Sequence, residues 1–93
     1  MRTIERTGSF KRDYKREAKG PHRVTLATDF GRVVSALAND RPLEERYRDH
    51  MLSGVWKDHR ECHVKPDLLL IYRKPDADTL QLVRLGSHSE LGV

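Results

Sequence analysis

The sequence predicts an α+β fold in which an antiparallel-type sheet packs on an N-terminal helical hairpin, in the order β-α-α-β-β-β. Two amphipathic helical patterns occupy the first half of the chain, and strand-like patterns separated by turn residues occupy the second half. The chain has 93 residues, of which 37% are hydrophobic, and this is enough for one modest core. We therefore expect residues 1–93 to form a single domain.

The first half of the chain predicts one strand and two helices. Residues 2–7 have the short pattern of a strand. Apolar residues recur at helical spacing over residues 10–19 and again over residues 22–39, and Gly20-Pro21 between them favours a turn. Ser9 stands just before the first helical pattern and has the side chain of a helix N-cap. These two helices form the expected hairpin, because the connection between them is short.

The second half predicts three strands. Residues 55–64 form a long pattern with mixed faces, residues 68–72 are apolar on both faces, and residues 79–86 alternate. Proline and aspartate residues in the two connections favour tight turns. A strand that is apolar on both faces is expected at the centre of a sheet. Residues 87–93 are expected to form a short final turn.

Positive charge is concentrated near the N-terminus of a chain whose formal net charge is +4. Such a patch predicts an anionic partner, either nucleic acid or an acidic protein, although a solvated helix face would carry the same charges. Six of the cations are candidates for RNA binding: Lys11, Arg12, Lys15, Arg16, Lys57 and Arg60.

Composition also restricts the cellular setting. No apolar run approaches the roughly 20 residues that a membrane-spanning helix needs, and the first residues lack the apolar segment of a signal peptide. The single cysteine, Cys62, excludes an intrachain disulfide framework. We therefore expect a cytoplasmic protein with no membrane contact.

Four of the five histidines lie in the second half of the chain: His50, His59, His63 and His88. Histidine is the side chain that titrates closest to neutral pH. With Asp67 and Arg84 nearby, His50, His63 and His88 provide the groups for metal-free acid–base cleavage of a phosphodiester. Their spacing alone leaves open the alternative that they are surface histidines with no common purpose.

No metal or cofactor site is expected. Adjacent Cys62 and His63 point to opposite faces of a strand, and no paired cysteine or histidine motif is present. Cys62 shares its strand side with Trp56 and Val64, which favours a buried thiol over a nucleophile. Core packing is also favoured over base stacking for Trp56 and Tyr72.

A series of residues in the second half recurs in one known family. They are Asp49-His50, Gly54, Trp56-Lys57, Arg60, His63-Val64, Pro66-Asp67, Leu70-Ile71-Tyr72, Arg84, Gly86 and His88. On these residues the segment 47–90 resembles the YafQ-type toxins of the RelE superfamily, which are the RNA-cleaving partners in type II toxin–antitoxin pairs. The first half matches that family only in its strand–helix–helix plan.

The resemblance implies a RelE-like fold and an endoribonuclease that depends on the ribosome. Toxins of this type enter the A site of the 70S ribosome and cut the translated mRNA, which inhibits translation and growth. YafQ-type members are known for in-frame cuts at adenine-rich lysine codons. The resemblance also implies a cognate antitoxin of acidic character, through which the toxin reaches operator DNA.

The resemblance further implies a catalytic set, which consists of His50, His63, Asp67, Arg84 and His88. It makes His88 the general acid and Asp67 the general base, with His50 as the alternative base. His50 and His63 would orient the RNA backbone, and Arg84 would hold the scissile phosphate.

Two departures from the family pattern leave other functions open. The family has aromatic residues where this chain has Leu68 and Gly92, and an aromatic ring could stack on a base. A toxin that has lost its activity through these changes is one alternative. A non-enzymatic ParE-like toxin that binds DNA gyrase is another, because fold alone does not fix function.

Overall fold

A five-stranded sheet with the strand order β1-β5-β4-β3-β2 forms the centre of the computed structural model, which describes residues 1–93. The strands are β1 (Thr3–Arg6), β2 (His50–Met51), β3 (Arg60–Lys65), β4 (Leu68–Arg73) and β5 (Thr79–Gly86). The helices are α1 (Gly8–Glu17), α2 (Leu26–Ala38) and α3 (His88–Leu91). This architecture confirms the predicted α+β class. One strand pair, β1 with β5, is parallel and the others are antiparallel.

The core is divided by β4, whose apolar residues are buried on both sides of the sheet, as predicted. Leu70 and Tyr72 belong to the main cluster, which lies between the sheet and the α1–α2 hairpin. Leu69 and Ile71 pack on the opposite face with Leu91 of α3. Complete burial of a leucine side chain contributes roughly 1.5–3 kcal/mol to stability. The side chains of β4 therefore hold the helical hairpin on one face of the sheet and α3 on the other.

Both predicted helices begin elsewhere than expected. Thr7, not Ser9, is the N-cap of α1, because its hydroxyl accepts the N–H of Phe10 at 3.0 Å. α2 begins at Leu26, since residues 21–25 form turns that follow Gly20. No helix of the structure has both the length and the apolar character needed to cross a membrane.

The buried face of α1 also differs from the prediction. The helical pattern predicted over residues 10–19 rests on Phe10, Tyr14 and Ala18, which share one side of a helix, but Ala18 is exposed. Asp13 and Glu17 are buried instead. The inward face of this helix is therefore partly charged.

Asp13 and its neighbours complete the hydrogen bonding of β5. β1 pairs only with the first half of β5, which leaves the rest of that edge without a neighbouring strand. The Asp13 carboxylate accepts the backbone N–H of Leu85 at 3.0 Å, and Arg16 donates to the Leu85 carbonyl at 3.0 Å. The Thr7 hydroxyl donates to the carbonyl of Val83 at 2.8 Å. Side chains thus satisfy backbone groups that a further strand would otherwise bind.

The shortest contact of Asp13 is its ion pair with Arg84, at 2.6 Å. Burial by itself raises the pKa of Asp13, because it disfavours the charged form. Hydrogen bonds from Arg84 and from the Leu85 N–H together outweigh this effect and hold the pKa below its ordinary value.

The prediction of one continuous strand over residues 55–64 is wrong. Gly54–Trp56 form a turn of 3₁₀ helix, and β3 begins only at Arg60. Gly54 and Asp58 have φ angles of 65° and 70°, so the chain reverses here instead of extending. The reversal brings β2, a strand that sequence reasoning missed, into antiparallel pairing with β3.

The same reversal changes the surroundings of Trp56. Its ring packs against the smaller cluster on the α3 face, whereas Cys62 and Val64 lie in the main cluster on the other face. Its predicted alignment with those two residues is therefore wrong. Tyr72 is 1% exposed, which confirms the prediction of core packing for that residue.

We expect Asp13→Asn to lower the free energy of unfolding by about 3 kcal/mol at pH 7, because Arg84 would keep its charge and lose its carboxylate partner. Urea denaturation would measure this loss. A carboxyl whose folded-state pKa is lowered stabilises the fold above its unfolded pKa, and this contribution disappears as the pH falls through the lowered value. The difference between the two proteins should therefore shrink below about pH 4.

Asp40→Asn is the matched control, because Asp40 forms ion pairs with Arg2 and Lys74 on the surface. Its half-exposed carboxylate should contribute much less to stability. Equal losses in the two variants would contradict the role assigned to Asp13, and so would a difference that is unchanged in strong acid.

Candidate active site

An open cavity of about 610 Å³ lies where β2, β3 and the start of α3 meet. Three of the predicted catalytic residues, His50, His63 and His88, line it together. The complete lining is Arg48, Asp49, His50, Leu52, Glu61, His63, His88 and Val93. The fold therefore brings together three imidazoles that are separated along the chain.

Glu61 is the central residue of this cavity that sequence reasoning did not single out. It lies directly opposite His50 in the β2–β3 pairing and two residues before His63, so all three side chains share one face of the sheet. Its carboxylate is 3.8 Å from Nε2 of His50 and 3.7 Å from Nε2 of His63. Only 3% of Glu61 is exposed. The alternation Glu61-Cys62-His63 was the available signal, because it separates the cavity face from the core face.

His63 is held by the turn that follows it. Its Nδ1 lies 3.2 Å from the carbonyl oxygen of Pro66. A proton on Nδ1 would be donated to that carbonyl, which directs Nε2 towards Glu61 and the cavity. The ring of His88 is the other neighbour, with its centroid 5.5 Å away and its plane inclined by 62°.

Contacts of the two preceding residues, Arg48 and Asp49, hold His50 in place. Nδ1 of His50 lies 2.7 Å from the carbonyl oxygen of Arg48, a residue in the left-handed conformation. Asp49 accepts from the hydroxyl of Tyr72 at 2.5 Å and pairs with Arg60 at 3.3 Å. Burial and the hydrogen bond to Asp49 both raise the pKa of the Tyr72 hydroxyl, so it remains a donor. The segment before His50 is thereby tied to the core.

His88 is the first residue of α3, and each end of that short helix is anchored. Ser87 and Glu90 form a capping box, in which the Ser87 hydroxyl accepts the N–H of Glu90 and the Glu90 carboxylate accepts the N–H of Ser87. Glu90 also pairs with Arg16 of α1 at 3.1 Å. Leu91 is buried against β4. The His88 side chain itself remains half exposed at the cavity.

Asp67 and Arg84 lie outside the cavity lining. Asp67 is in the turn between β3 and β4, and its carboxylate is 74% exposed and 4.0 Å from Nδ1 of His88. It is therefore next to the histidine cluster, on the solvent side. Arg84 is held by Asp13 and does not line the cavity with the histidines.

None of the six predicted RNA-binding cations lines this cavity. Arg16 and Arg60 are engaged in ion pairs with buried or half-buried carboxylates. The four lysine and arginine residues Lys11, Arg12, Lys15 and Lys57 are exposed. Their RNA contacts stay a prediction. Arg48, which sequence reasoning did not select, is the cation that lines the cavity.

The structure shows the surroundings of Leu68 and Gly92, the two positions at which the family pattern has aromatic residues. Leu68 is fully buried in the main core, on the sheet face opposite the cavity. Gly92 ends α3 with a φ angle of 71°, a conformation that favours glycine. Neither position therefore offers an aromatic surface to the histidines.

Three cavity residues form a possible metal-binding group. Glu61, His63 and His88 each offer one ligand atom, and these atoms lie within 4.8 Å of one another. Imidazole nitrogen and carboxylate oxygen are common ligands of zinc and copper. The sequence was searched for sites that include Cys62 and for paired cysteine or histidine motifs, and none of these describes the group. Cys62 itself is fully buried, and that burial raises the pKa of its thiol. The group was missed because β3 and α3 approach each other only in the folded chain.

Comparison with known proteins identifies relatives over almost the whole chain. Residues 2–93 match the family described as the bacterial toxin of the type II toxin–antitoxin system, YafQ. The mRNA interferase toxin YafQ of Escherichia coli strain K12 is 36% identical over 92 residues, which cover 98% of this chain and 96% of that protein.

Solved structures show the same likeness. A copper-bound mutant toxin from Helicobacter pylori has a TM-score of 0.85 and 38% identity, with 98% of this chain and 99% of that chain covered. YafQ in the E. coli DinJ–YafQ toxin–antitoxin complex has a TM-score of 0.80 and 35% identity, with 97% and 96% covered. The family match and these full-length likenesses agree with the observed fold. The chain therefore belongs to the YafQ family of toxins of type II toxin–antitoxin systems.

Proposed function

We propose that this toxin is a ribosome-dependent endoribonuclease that cuts translated mRNA in the A site by metal-free acid–base catalysis, and thereby inhibits translation and growth. The observation that carries the proposal is the convergence of His50, His63 and His88 on one open cavity. Groups that can donate or accept a proton near neutral pH are what such a reaction needs. The name of the E. coli relative, an mRNA interferase, gives further support.

The reaction begins with attack of the RNA 2′-hydroxyl oxygen on the adjacent phosphorus. Asp67 removes the hydroxyl proton, and His88 donates a proton to the departing 5′ oxygen as its bond to phosphorus breaks. The products are a 2′,3′-cyclic phosphate and a free 5′-hydroxyl. Both side chains are solvent-accessible at the edge of the cavity, so an RNA strand can reach them. His50 is the alternative base, since it lines the same cavity.

The remaining cavity residues hold the RNA and the imidazoles in place. His63 is the most enclosed of the three histidines, with 14% of its side chain exposed, and it orients the RNA backbone together with His50. Glu61 aligns these two rings through its buried carboxylate. Arg84 is committed to Asp13. We therefore assign it to the support of β5 and α3, in place of the phosphate contact that the family resemblance implied.

The proposed partners are the 70S ribosome, the mRNA and a cognate antitoxin, through which the toxin reaches operator DNA. The E. coli relative has been solved in a toxin–antitoxin complex. A formal net charge of +4 suits both a nucleic acid and an acidic antitoxin. An antitoxin that covers the cavity would exclude RNA from it.

We expect His88→Ala to slow mRNA cleavage by roughly 100-fold or more without unfolding the protein. A positioned proton donor contributes about 10²–10⁴-fold to the rate, and the half-exposed His88 side chain adds little to the core. Primer extension on a reporter mRNA after brief induction would map the cuts, with and without translation of the reporter.

His22→Ala is the matched control, because His22 lies in the turn between α1 and α2 and does not line the cavity. It should cut like the wild type. Growth arrest without in-frame cuts would reject the nuclease and direct attention to DNA gyrase. Equal cleavage by His88→Ala and the wild type would reject the proposed general acid.

We expect Zn²⁺ or Cu²⁺ to inhibit cleavage, because the ligand atoms of Glu61, His63 and His88 belong to the proposed catalytic cavity. Calorimetric titration should detect binding that Glu61→Gln weakens more than about tenfold. Glu44→Gln is the control, since Glu44 is exposed and does not line the cavity. Activation by these ions would contradict metal-free catalysis.

A further inference from the structure

A second cavity, of about 330 Å³, adjoins the histidine cavity and shares His63 with it. Arg32 of α2 and Arg46 and Tyr47 of the 3₁₀ segment before β2 line one part of it, and Lys65 of β3 lines another. Arg46 and Arg48 also border a common depression, together with Glu45. A continuous surface therefore runs from Arg32 past His63 to His50 and His88.

The arginines of this surface differ in their ion pairing from Arg16, Arg60 and Arg84, which the sequence analysis assigned to RNA contacts. Arg84 pairs with a carboxylate at 2.6 Å, and Arg16 and Arg60 pair at 3.0 Å and 3.3 Å. A phosphate could bind these groups only by displacing an intramolecular partner. Each is therefore a poor candidate for the RNA backbone.

The arginines beside the cavities are less committed. The side chains of Arg32 and Arg48 form no ion pair and no hydrogen bond within the chain. Arg46 approaches Glu44 at 3.6 Å, but both side chains are more than half exposed and such a pair is weak. Lys65 differs from these three, because Asp29 neutralises it at 2.5 Å.

Tyr47 adds an aromatic surface to the same place. The Arg46 guanidinium lies over the Tyr47 ring, 4.8 Å from the centroid, and donates to the Tyr47 hydroxyl through Nη2 at 2.9 Å. Planar guanidinium and aromatic groups both stack on unpaired bases, and guanidinium also binds phosphate. The chemistry of the cavity wall thus suits a single-stranded polynucleotide.

We propose that Arg32, Arg46 and Arg48 form a track that binds the RNA backbone on the His63 side of the cleaved bond, with Tyr47 beside a flanking base. The track deepens the proposed function and rests on it for the place of the cleaved bond. It also replaces Arg84 as the source of positive charge next to the scissile phosphate. Glu44 lines none of these cavities, whereas Glu45 lies in the depression beside Arg46 and Arg48 and is the acidic residue next to the track.

The test measures RNA binding apart from cleavage. A fluorescein-labelled, single-stranded 12-nucleotide RNA is titrated with the full chain carrying His88→Ala, and anisotropy gives Kd at several salt concentrations. Adding Arg32→Ala, Arg46→Ala or Arg48→Ala should raise Kd by roughly tenfold. Each should also reduce the slope of log Kd against log salt by about 0.7, the value for one lost contact to single-stranded nucleic acid.

Arg6→Ala is the matched control, since β1 lies at the opposite edge of the sheet from β2 and β3. It should leave Kd and the salt slope unchanged. Arg46→Lys should keep most of the salt slope, because it keeps the charge. Thermal unfolding of each variant would show that a rise in Kd does not come from loss of the fold.

A second arm separates this inference from the proposed nuclease. The arginine substitutions are placed in the active toxin, and reporter cleavage is measured in a translation extract beside His88→Ala. Loss of cleavage in His88→Ala with retained RNA binding, and loss of both in the arginine variants, is the expected result. Cleavage by His88→Ala at the wild-type rate would overturn the nuclease mechanism. The anisotropy titration would still show whether the three arginines bind RNA.

Two results would overturn the track. One is RNA binding by all three arginine variants that equals that of Arg6→Ala, whatever the cleavage result. The other is unchanged RNA binding together with weakened binding of the antitoxin, which would assign this surface to a protein partner.

Discussion

The site depends on one buried carboxylate, that of Asp13, which closes an edge of the sheet that no strand covers. By binding the N–H of Leu85 and the guanidinium of Arg84, it fixes the end of β5 from which α3 begins. Gly86 permits the close packing that follows, because a Cβ there would lie 3.0 Å from Arg16 and 3.2 Å from Glu90. The capped helix then starts at His88. The proposed general acid, on a short helix at the surface, is thus positioned by a charge network in the interior.

The other half of the cavity depends on a reversal of the chain. Positive φ angles at Gly54 and Asp58 turn the chain between β2 and β3, and the resulting pairing sets His50 opposite Glu61. A buried carboxylate beside two imidazoles is costly unless positive charge or hydrogen bonds compensate it. Because of this cost, a buried carboxylate such as Glu61 is a stronger indication of a functional site than an exposed one.

The arginines fall into two physical groups. Arg16, Arg60 and Arg84 hold carboxylates and stabilise the fold, whereas Arg32 and Arg48 have no partner within the chain. Guanidinium groups of the second kind can neutralise RNA phosphates without breaking an existing ion pair. The net positive charge of the chain is therefore a poor guide to the proposed RNA-binding surface, and the arrangement of ion pairs is a better one.

The sequence by itself determined the features that depend on local periodicity. These include the central strand β4 and the helical hairpin, because alternation and helical spacing record which side of an element is buried. Only the tertiary structure decided which charges meet. Asp13 and Arg84 are 71 residues apart in sequence, and the partner of an ionic group depends on long-range packing that no local pattern records. The same reason explains why the position of His50 opposite Glu61, across β2 and β3, could not be predicted from the neighbours of either residue in sequence.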